Sequence, residues 1–286
     1  SGTQSEEEKE NKRSEHPIFN RELLVRSISA FILAILVIVL AEHSFATFLG
    51  LSLVIMLLMC WEWARLTNND TILQISIQVI SIAIIIFAFL THEWPLLIVS
   101  MIAGSLMALW STHYWWRSKW ALMGLFYVSL PIISLIYLRS DEAYGFYAVL
   151  FVFLIVWSTD TAAYFTGRHF GGKKLAPSIS PGKTWSGFTG GLFAGLIVGA
   201  LYAFSLDKSP ILPALIGLIL SAIAQAGDLA ESAVKRHFGV KDSGHIIPGH
   251  GGILDRFDGV IFAATAAAFI AALHNAKLPG QGLLVW

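Results

Sequence analysis

The residues with chemistry to offer lie in the second half of the chain, where carboxylates recur beside glycines and cations, close to apolar runs. Asp160 stands in WSTDTAAYFTGR, Asp228 and Glu231 in QAGDLAESAVKR, and Asp255 and Asp258 in GHGGILDRFDG. A charge at the centre of a bilayer costs about 2.5–3.5 kcal/mol on insertion scales, so a carboxylate near a membrane has a partner or a task. Arg168, Lys235 and Arg256 are the partners at hand, and an intramembrane salt bridge is the plain structural reading. Two features favour a task. Asp228, Glu231, Ser232 and Lys235 are spaced i, i+3, i+4, i+7 and share one helix face, and Asp255 and Asp258 are likewise three apart. Two acidic helix ends beside basic residues suit a hard divalent cation with oxygen ligands, chiefly Mg²⁺, bridging to a phosphate substrate.

A second cluster is the stretch 167–184, rich in Gly, Pro and Lys. Gly167, Gly172, Lys173 and Lys174 almost fit G-x-x-x-x-G-K-[ST], but Lys174 stands where a metal-binding hydroxyl belongs. Gly182, Lys183 and Thr184 end such a motif correctly, but its first position is Pro177. Neither stretch follows a strand in a βαβ unit, so a P-loop is excluded. What remains is a flexible basic loop able to offer backbone N–H groups and ammonium charges to phosphates. His250, in PGHGG and close to Asp255, could orient a phosphate or move a proton. His169, His237 and His245 read as ordinary loop histidines. No H-x-x-x-H or H-E-x-x-H pattern points to zinc. The one cysteine, Cys60, sits in an apolar run and excludes an intrachain disulfide.

Stepping from these residues to the elements that must carry them, hydropathy decides the fold class. Of 286 residues 56% are hydrophobic and 13% charged. Charge-free runs cover 43–61, 71–92, 94–116, 120–138, 143–159, 184–206, 209–227 and 259–276, and 23–41 is broken only by Arg26. Each is close to the roughly 20 residues a helix needs to cross a bilayer. The expectation is an all-α polytopic membrane protein of about nine spans, not a soluble domain, a disordered chain or a β-barrel. Residues 1–22 read as a polar cytoplasmic tail, 23–157 as N-terminal spans that are chemically bland, and 158–286 as the catalytic region. Most links are short turns; the two enlarged ones, 167–184 and 227–258, are where chemistry is expected. Placing the N-terminus and both long loops in the cytoplasm puts 16 of the 19 Lys and Arg there and leaves Arg139, Lys208 and Lys277 outside. Trp61, Trp63, Trp94, Trp110, Trp115, Trp116, Trp120 and Trp157 read as an aromatic belt. A formal net charge of zero argues against nucleic acid as the partner.

The run from Ser232 to Asp258 (SAVKRHFGVKDSGHIIPGHGGILDRFD) resembles the signature of the phosphatidate cytidylyltransferase, or CDP-diacylglycerol synthase, family. A second block, Ser158-Thr-Asp160-Thr161-Ala-Ala-Tyr164 with Gly167, Arg168, Lys174, Leu175, Pro177 and Ser180-Pro-Gly-Lys183-Thr184-Trp185, is similar to the same family and departs from it at Ser186. The resemblance implies transfer of CMP from CTP to phosphatidic acid, with Mg²⁺, in a bacterial cytoplasmic membrane. It implies Mg²⁺ on Asp228 and Asp255, with Asp160 and Glu231 as further ligands. Lys235, Arg236, Lys241 and Arg256 would neutralise developing charge, Asp242 and Asp258 would support or join the metal ligands, and His250 would orient a phosphate or act on a proton. Arg168, Lys173, Ser180, Lys183 and Thr184 would hold a phosphate substrate. Two other classes share these features: a CTP-dependent polyprenol or lipid kinase, and an ion or solute transporter. A transporter would show repeats in both halves, whereas every suggestive residue here follows residue 157. The oligomeric state stays open, a homodimer among the options.

Overall fold

A computed structural model of the chain describes residues 32, 34–111, 115–244, 246 and 251–286. The tail 1–22, most of the first expected span, His245 and His250 lie outside the described residues. The described chain is helical apart from one small hairpin. Its elements are α1 (Ala34–His43), α2 (Phe45–Leu66), α3 (Ile72–Leu90), α4 (Trp94–Trp110), α5 (Trp115–Arg139), α6 (Gly145–Phe170), β1 (Lys174–Ala176), β2 (Ser180–Thr184), α7 (Trp185–Ser205), α8 (Ile211–His237), α9 (Leu254–Asn275) and the short α10 (Pro279–Leu284).

Seven of these helices, α2, α3, α5, α6, α7, α8 and α9, are long and apolar enough to cross a membrane; α1 and α4 are apolar but shorter. The all-α polytopic expectation holds, while seven rather than nine spans of full length are found among the described residues. Many large apolar side chains point outward, among them Ile72, Phe87, Ile98, Phe193, Leu201 and Phe204. That is the distribution a hydrocarbon solvent allows, since lipid does not drive such groups inward.

Local signals set the helix ends. Ser44 caps α2 in a reciprocal box with Thr47, and Thr71 caps α3 by accepting from the Gln74 N–H. Thr184 caps α7 by accepting from the Gly187 N–H at 3.1 Å. A Pro at the start of α4 gives up no helical hydrogen bond there.

The helices of the second half pack through small residues. On α7, Gly187, Gly191, Gly195, Gly199 and Ala203 form a buried stripe at four-residue spacing that lies against α8 and α6. A Cβ at Gly195 would come within 2.6 Å of the Gly217 carbonyl oxygen and the Ser221 Cβ. Such close backbone approach lets dispersion and polar contacts hold helices together where no hydrophobic effect does. One chain of hydrogen bonds ties the trio: Thr159 on α6 donates to the Ser221 hydroxyl at 2.9 Å, and Ser221 on α8 donates to the Gly191 carbonyl of α7 at 2.9 Å. In the first half the core is bulkier. The Trp63 indole N–H donates to the Trp120 carbonyl at 2.8 Å, and its ring stacks on Tyr127 at 4.7 Å.

At the membrane face bearing the 140–144 link, Asp141 fastens α10. Its Oδ1 accepts from the Ala143 and Tyr144 N–H groups at 3.0 Å, and its Oδ2 from the Gln281 N–H at 2.9 Å. At the opposite face lie the hairpin and the loop after α8. Two expectations change there. The segment 167–184 is not a free loop: α6 continues through Phe170, and β1 and β2 pair antiparallel, Lys174 with Thr184 and Ala176 with Ser180. The α8 helix likewise runs on to His237, so Asp228, Glu231 and Lys235 stand on a helix rather than in the 227–258 link.

Candidate active site

The hairpin and the end of α8 meet. The Arg236 Nε–H donates to the Ile179 carbonyl at 3.3 Å, and its Nη1 donates to the Val240 carbonyl at 2.8 Å. Arg236 thus joins the hairpin turn to the start of the following loop. The expected basic loop and the signature segment do come together, through backbone carbonyls held by an arginine.

Between α6, the hairpin, α7 and α8 lies a cavity of about 700 Å³. Asp160 and Arg168 from α6, Lys174 and Lys183 from the hairpin, and Asp228 from α8 line it. Its deepest ionic contact is Lys183 Nζ on Asp228 Oδ2 at 2.6 Å, both side chains partly exposed. Asp160 lies within electrostatic reach of Asp228, Lys183 and Arg256. The glycines in this wall permit the closure: a Cβ at Gly167 would meet the Thr184 hydroxyl at 2.9 Å, and one at Gly187 the Ala163 carbonyl at 2.7 Å.

Behind the cavity stands a buried ionic cluster. Lys235 Nζ donates to Asp255 Oδ1 at 2.6 Å and to Glu231 Oε1 at 3.2 Å. Glu231 is 1% exposed, and its Oε2 accepts from the Tyr127 hydroxyl at 3.0 Å. Asp255 Oδ2 accepts from the Ser243 N–H at 2.8 Å, the Ser243 hydroxyl at 2.9 Å and the Gly252 N–H at 2.8 Å. Asp258, one turn further on, faces the charges of Asp228, Glu231 and Asp160. A buried charge is tolerable only with such partners. The i, i+3, i+4, i+7 face is realised: Ser232 Oγ reaches Asp228 Oδ1 at 3.4 Å, and Glu231 and Lys235 pair on the same side.

Several expected residues take other places. Thr184 is a buried helix cap, its Oγ1 also 3.0 Å from the Ser186 hydroxyl, although it still contributes to the cavity wall. Lys173 and Ser180 are not among the residues lining the cavity, whereas Lys174, part of the same family-like block, is. Lys241 and Asp242 are exposed beyond α8, and Asp242 borders a separate cavity of about 430 Å³ beside Trp61 and Arg65. Ser186 donates to the Gly171 carbonyl and so braces the base of the hairpin. Among the described residues, no three His, Cys, Asp or Glu side chains converge as a ready-made metal site. The carboxylates Asp228 and Asp255 each carry a lysine ammonium instead, 2.6 Å away.

The bland reading of the first half does not survive. Tyr127 on α5 reaches Glu231, just before the signature segment, and Glu62 on α2 reaches the segment itself. Glu62, fully buried, accepts from the Ile253 and Leu254 N–H groups at 2.8 Å. A lone Glu in an otherwise apolar span was the available signal for Glu62; nothing in the sequence marked Tyr127.

A helical membrane bundle with carboxylate–lysine pairs gathered at one face defines a class of polytopic membrane protein, and comparison with known sequences narrows it to a family. The model of the cytidylyltransferase family matches residues 24–274. A phosphatidate cytidylyltransferase of Brucella suis biovar 1 (strain 1330) is 41% identical over 88% of this chain and 94% of its own. One from Staphylococcus aureus (strain COL) is 50% identical over 51% of this chain and 55% of its own. The chain belongs to the cytidylyltransferase family.

Proposed function

We propose that the chain transfers CMP from CTP to phosphatidic acid, forming CDP-diacylglycerol and pyrophosphate, in keeping with the names its relatives carry. The observation that carries this reading is the cavity in which Lys183 faces Asp228 with Asp160, Arg168 and Lys174 in the same wall. It offers ammonium and guanidinium groups to phosphates and hard oxygens to a divalent ion in one space.

In this reaction an oxygen of the lipid phosphate attacks the α-phosphorus of CTP. The new P–O bond forms as the bond to the α,β-bridging oxygen breaks, and pyrophosphate leaves. A phosphate monoester has a second pKa of about 6, so the nucleophile is mostly dianionic at neutral pH and needs no strong base. The obstacle is bringing two polyanions together, which calls for positioning and charge neutralisation. Lys183, Lys174 and Arg168 would hold phosphates, and Lys235 and Arg256 would offset charge on the signature side. Arg236 secures the two loops to each other.

Mg²⁺ belongs to the proposal. Its fit rests on the donor set: Asp228 and Asp255 present carboxylate oxygens that already hold cationic groups at 2.6 Å, with Asp160, Glu231 and Asp258 close by. Mg²⁺ usually takes one or two protein carboxylates and completes its shell with substrate phosphates and water, so the lack of a three-residue cage suits it. When bound, the ion would supply charge stabilisation for the departing pyrophosphate.

The positive-charge asymmetry of the sequence supports a cytoplasmic position for the hairpin face, and the bacterial relatives support a bacterial cytoplasmic membrane. The deciding assay incubates purified protein with CTP, Mg²⁺ and phosphatidic acid. CDP-diacylglycerol and pyrophosphate are expected in equal amounts; their absence from a folded preparation would overturn the reading.

A further inference from the structure

Glu62 sits near the end of α2, where the preceding turns are almost wholly apolar. None of its surface is exposed. A buried carboxylate requires donors, and the donors found all come from one distant segment. The Ile253 N–H donates to Oε1 and the Leu254 N–H to Oε2, each at 2.8 Å, and the Ser243 hydroxyl lies 3.3 Å from Oε2. The two amides belong to the start of α9, whose N-cap residue, Ile253, offers no capping side chain. Glu62 therefore supplies from another helix the acceptor that this terminus lacks.

Two glycines of the signature segment also close on that carboxylate. A Cβ at Gly244 would come 2.8 Å from Glu62 Oε1, and a Cβ at Gly252 would come 2.5 Å from Oε2. Ser243 has one hydroxyl proton and two carboxylates within reach, Asp255 Oδ2 at 2.9 Å and Glu62 Oε2 at 3.3 Å. Glu62, Ser243 and Asp255 thus form one connected unit, which continues through Lys235 to Glu231 and Tyr127.

We propose that Glu62 is a positioning residue for nucleotidyl transfer: it fixes the first turn of α9 together with Ser243 and Gly252, and through them aims Asp255, without touching substrate. The proposal rests on the transfer reaction proposed above. Glu62→Gln turns one acceptor oxygen into an amide that must face an N–H or hydroxyl donor. Glu62→Asp withdraws the carboxylate by one methylene.

The test compares wild type, Glu62→Gln, Glu62→Asp, Ser243→Ala and the Glu62→Gln/Ser243→Ala double variant. CDP-diacylglycerol formation is measured per folded molecule, beside the melting temperature of each. Small misplacements of reacting groups are costly, so each Glu62 variant should lower kcat by about ten- to a hundred-fold. The KM for phosphatidic acid should stay within about two-fold, because Lys183, Lys174 and Arg168, proposed to hold phosphates, stand on other elements. The double variant should be no slower than the worse single one, since groups acting as one unit lose their effect together. An unchanged kcat with only a lowered melting temperature would reduce Glu62 to a structural cap, and losses that multiply would break the connection through Ser243; either overturns the proposal. Should Glu62→Gln fail to fold, Ser243→Ala decides alone, and an unchanged kcat there counts against it. An inactive wild type would sink the reaction and this role together, whereas an active wild type with unaffected variants would sink this role only.

Discussion

The contact between Lys183 and Asp228 separates the structural reading of the carboxylates from the chemical one. Both side chains are a quarter to a third exposed, and an ion pair so placed contributes about 0–1 kcal/mol to stability. Asp228→Asn should therefore leave the melting temperature nearly unchanged. If Asp228 serves the phosphates and their metal, turnover should fall by about 10²–10³-fold. Measuring Mg²⁺-dependent activity and melting on the same preparation checks this, and an active, folded Asp228→Asn would remove Asp228 from the reaction. Asp228 was legible in the sequence through its helix neighbours, although its ionic partner Lys183 stands on the hairpin. The spacing of Asp228, Glu231, Ser232 and Lys235 places them on one face whatever the rest of the chain does. Glu62 showed in the sequence only as a carboxylate at the end of an apolar run; its donors lie 191 and 192 residues away, and only tertiary packing selects them. Thr184 was readable in a different way: a threonine directly before an apolar run is a helix-cap signal, which the search for phosphate ligands obscured.

Among the elements, the hydrophobic runs located the long helices well because their period and length are set by the bilayer. Their ends were less visible. Helix α8 runs ten residues past the last residue of its charge-free stretch, from 227 to His237, because helix formation continues into water when a polar face finds partners. The hairpin was missed because Ser180-Pro-Gly-Lys-Thr contains residues that disfavour strands, and its pairing is held by two short segments braced by Ser186 and Arg236. The glycine stripe of α7 makes a sharp contrast between positions. Gly195→Ala drives a methyl into the Gly217 carbonyl and the Ser221 side chain, and overpacking of this kind typically costs about 1–3 kcal/mol. Gly182→Ala meets nothing within 4 Å and should be tolerated. Melting in detergent, with activity beside it, should show a clear loss for the first and little for the second; equal behaviour would mean that α7 does not depend on its close approach to α8.

For the whole molecule, sidedness is the property that matters, and the single cysteine makes it accessible. Cys60 has no exposed surface and should stay silent to labelling. Cysteines placed one at a time at the exposed positions Ser178, Lys241 and Lys277 probe both faces. In intact cells an impermeant maleimide should label the Lys277→Cys protein alone, and Ser178→Cys and Lys241→Cys should react only after lysis. Labelling of either of the latter two from outside would reverse the orientation. Asp141 adds a mechanical consequence. At its face, one carboxylate binds the α5–α6 link and the N-terminus of α10 through uncharged amide donors, whose strength changes little with salt or bound anions. The opposite face combines such amide donors, on Glu62 and Asp255, with lysine–carboxylate pairs. Asp141 is therefore a clasp that closes its end of the bundle by hydrogen bonds to backbone amides.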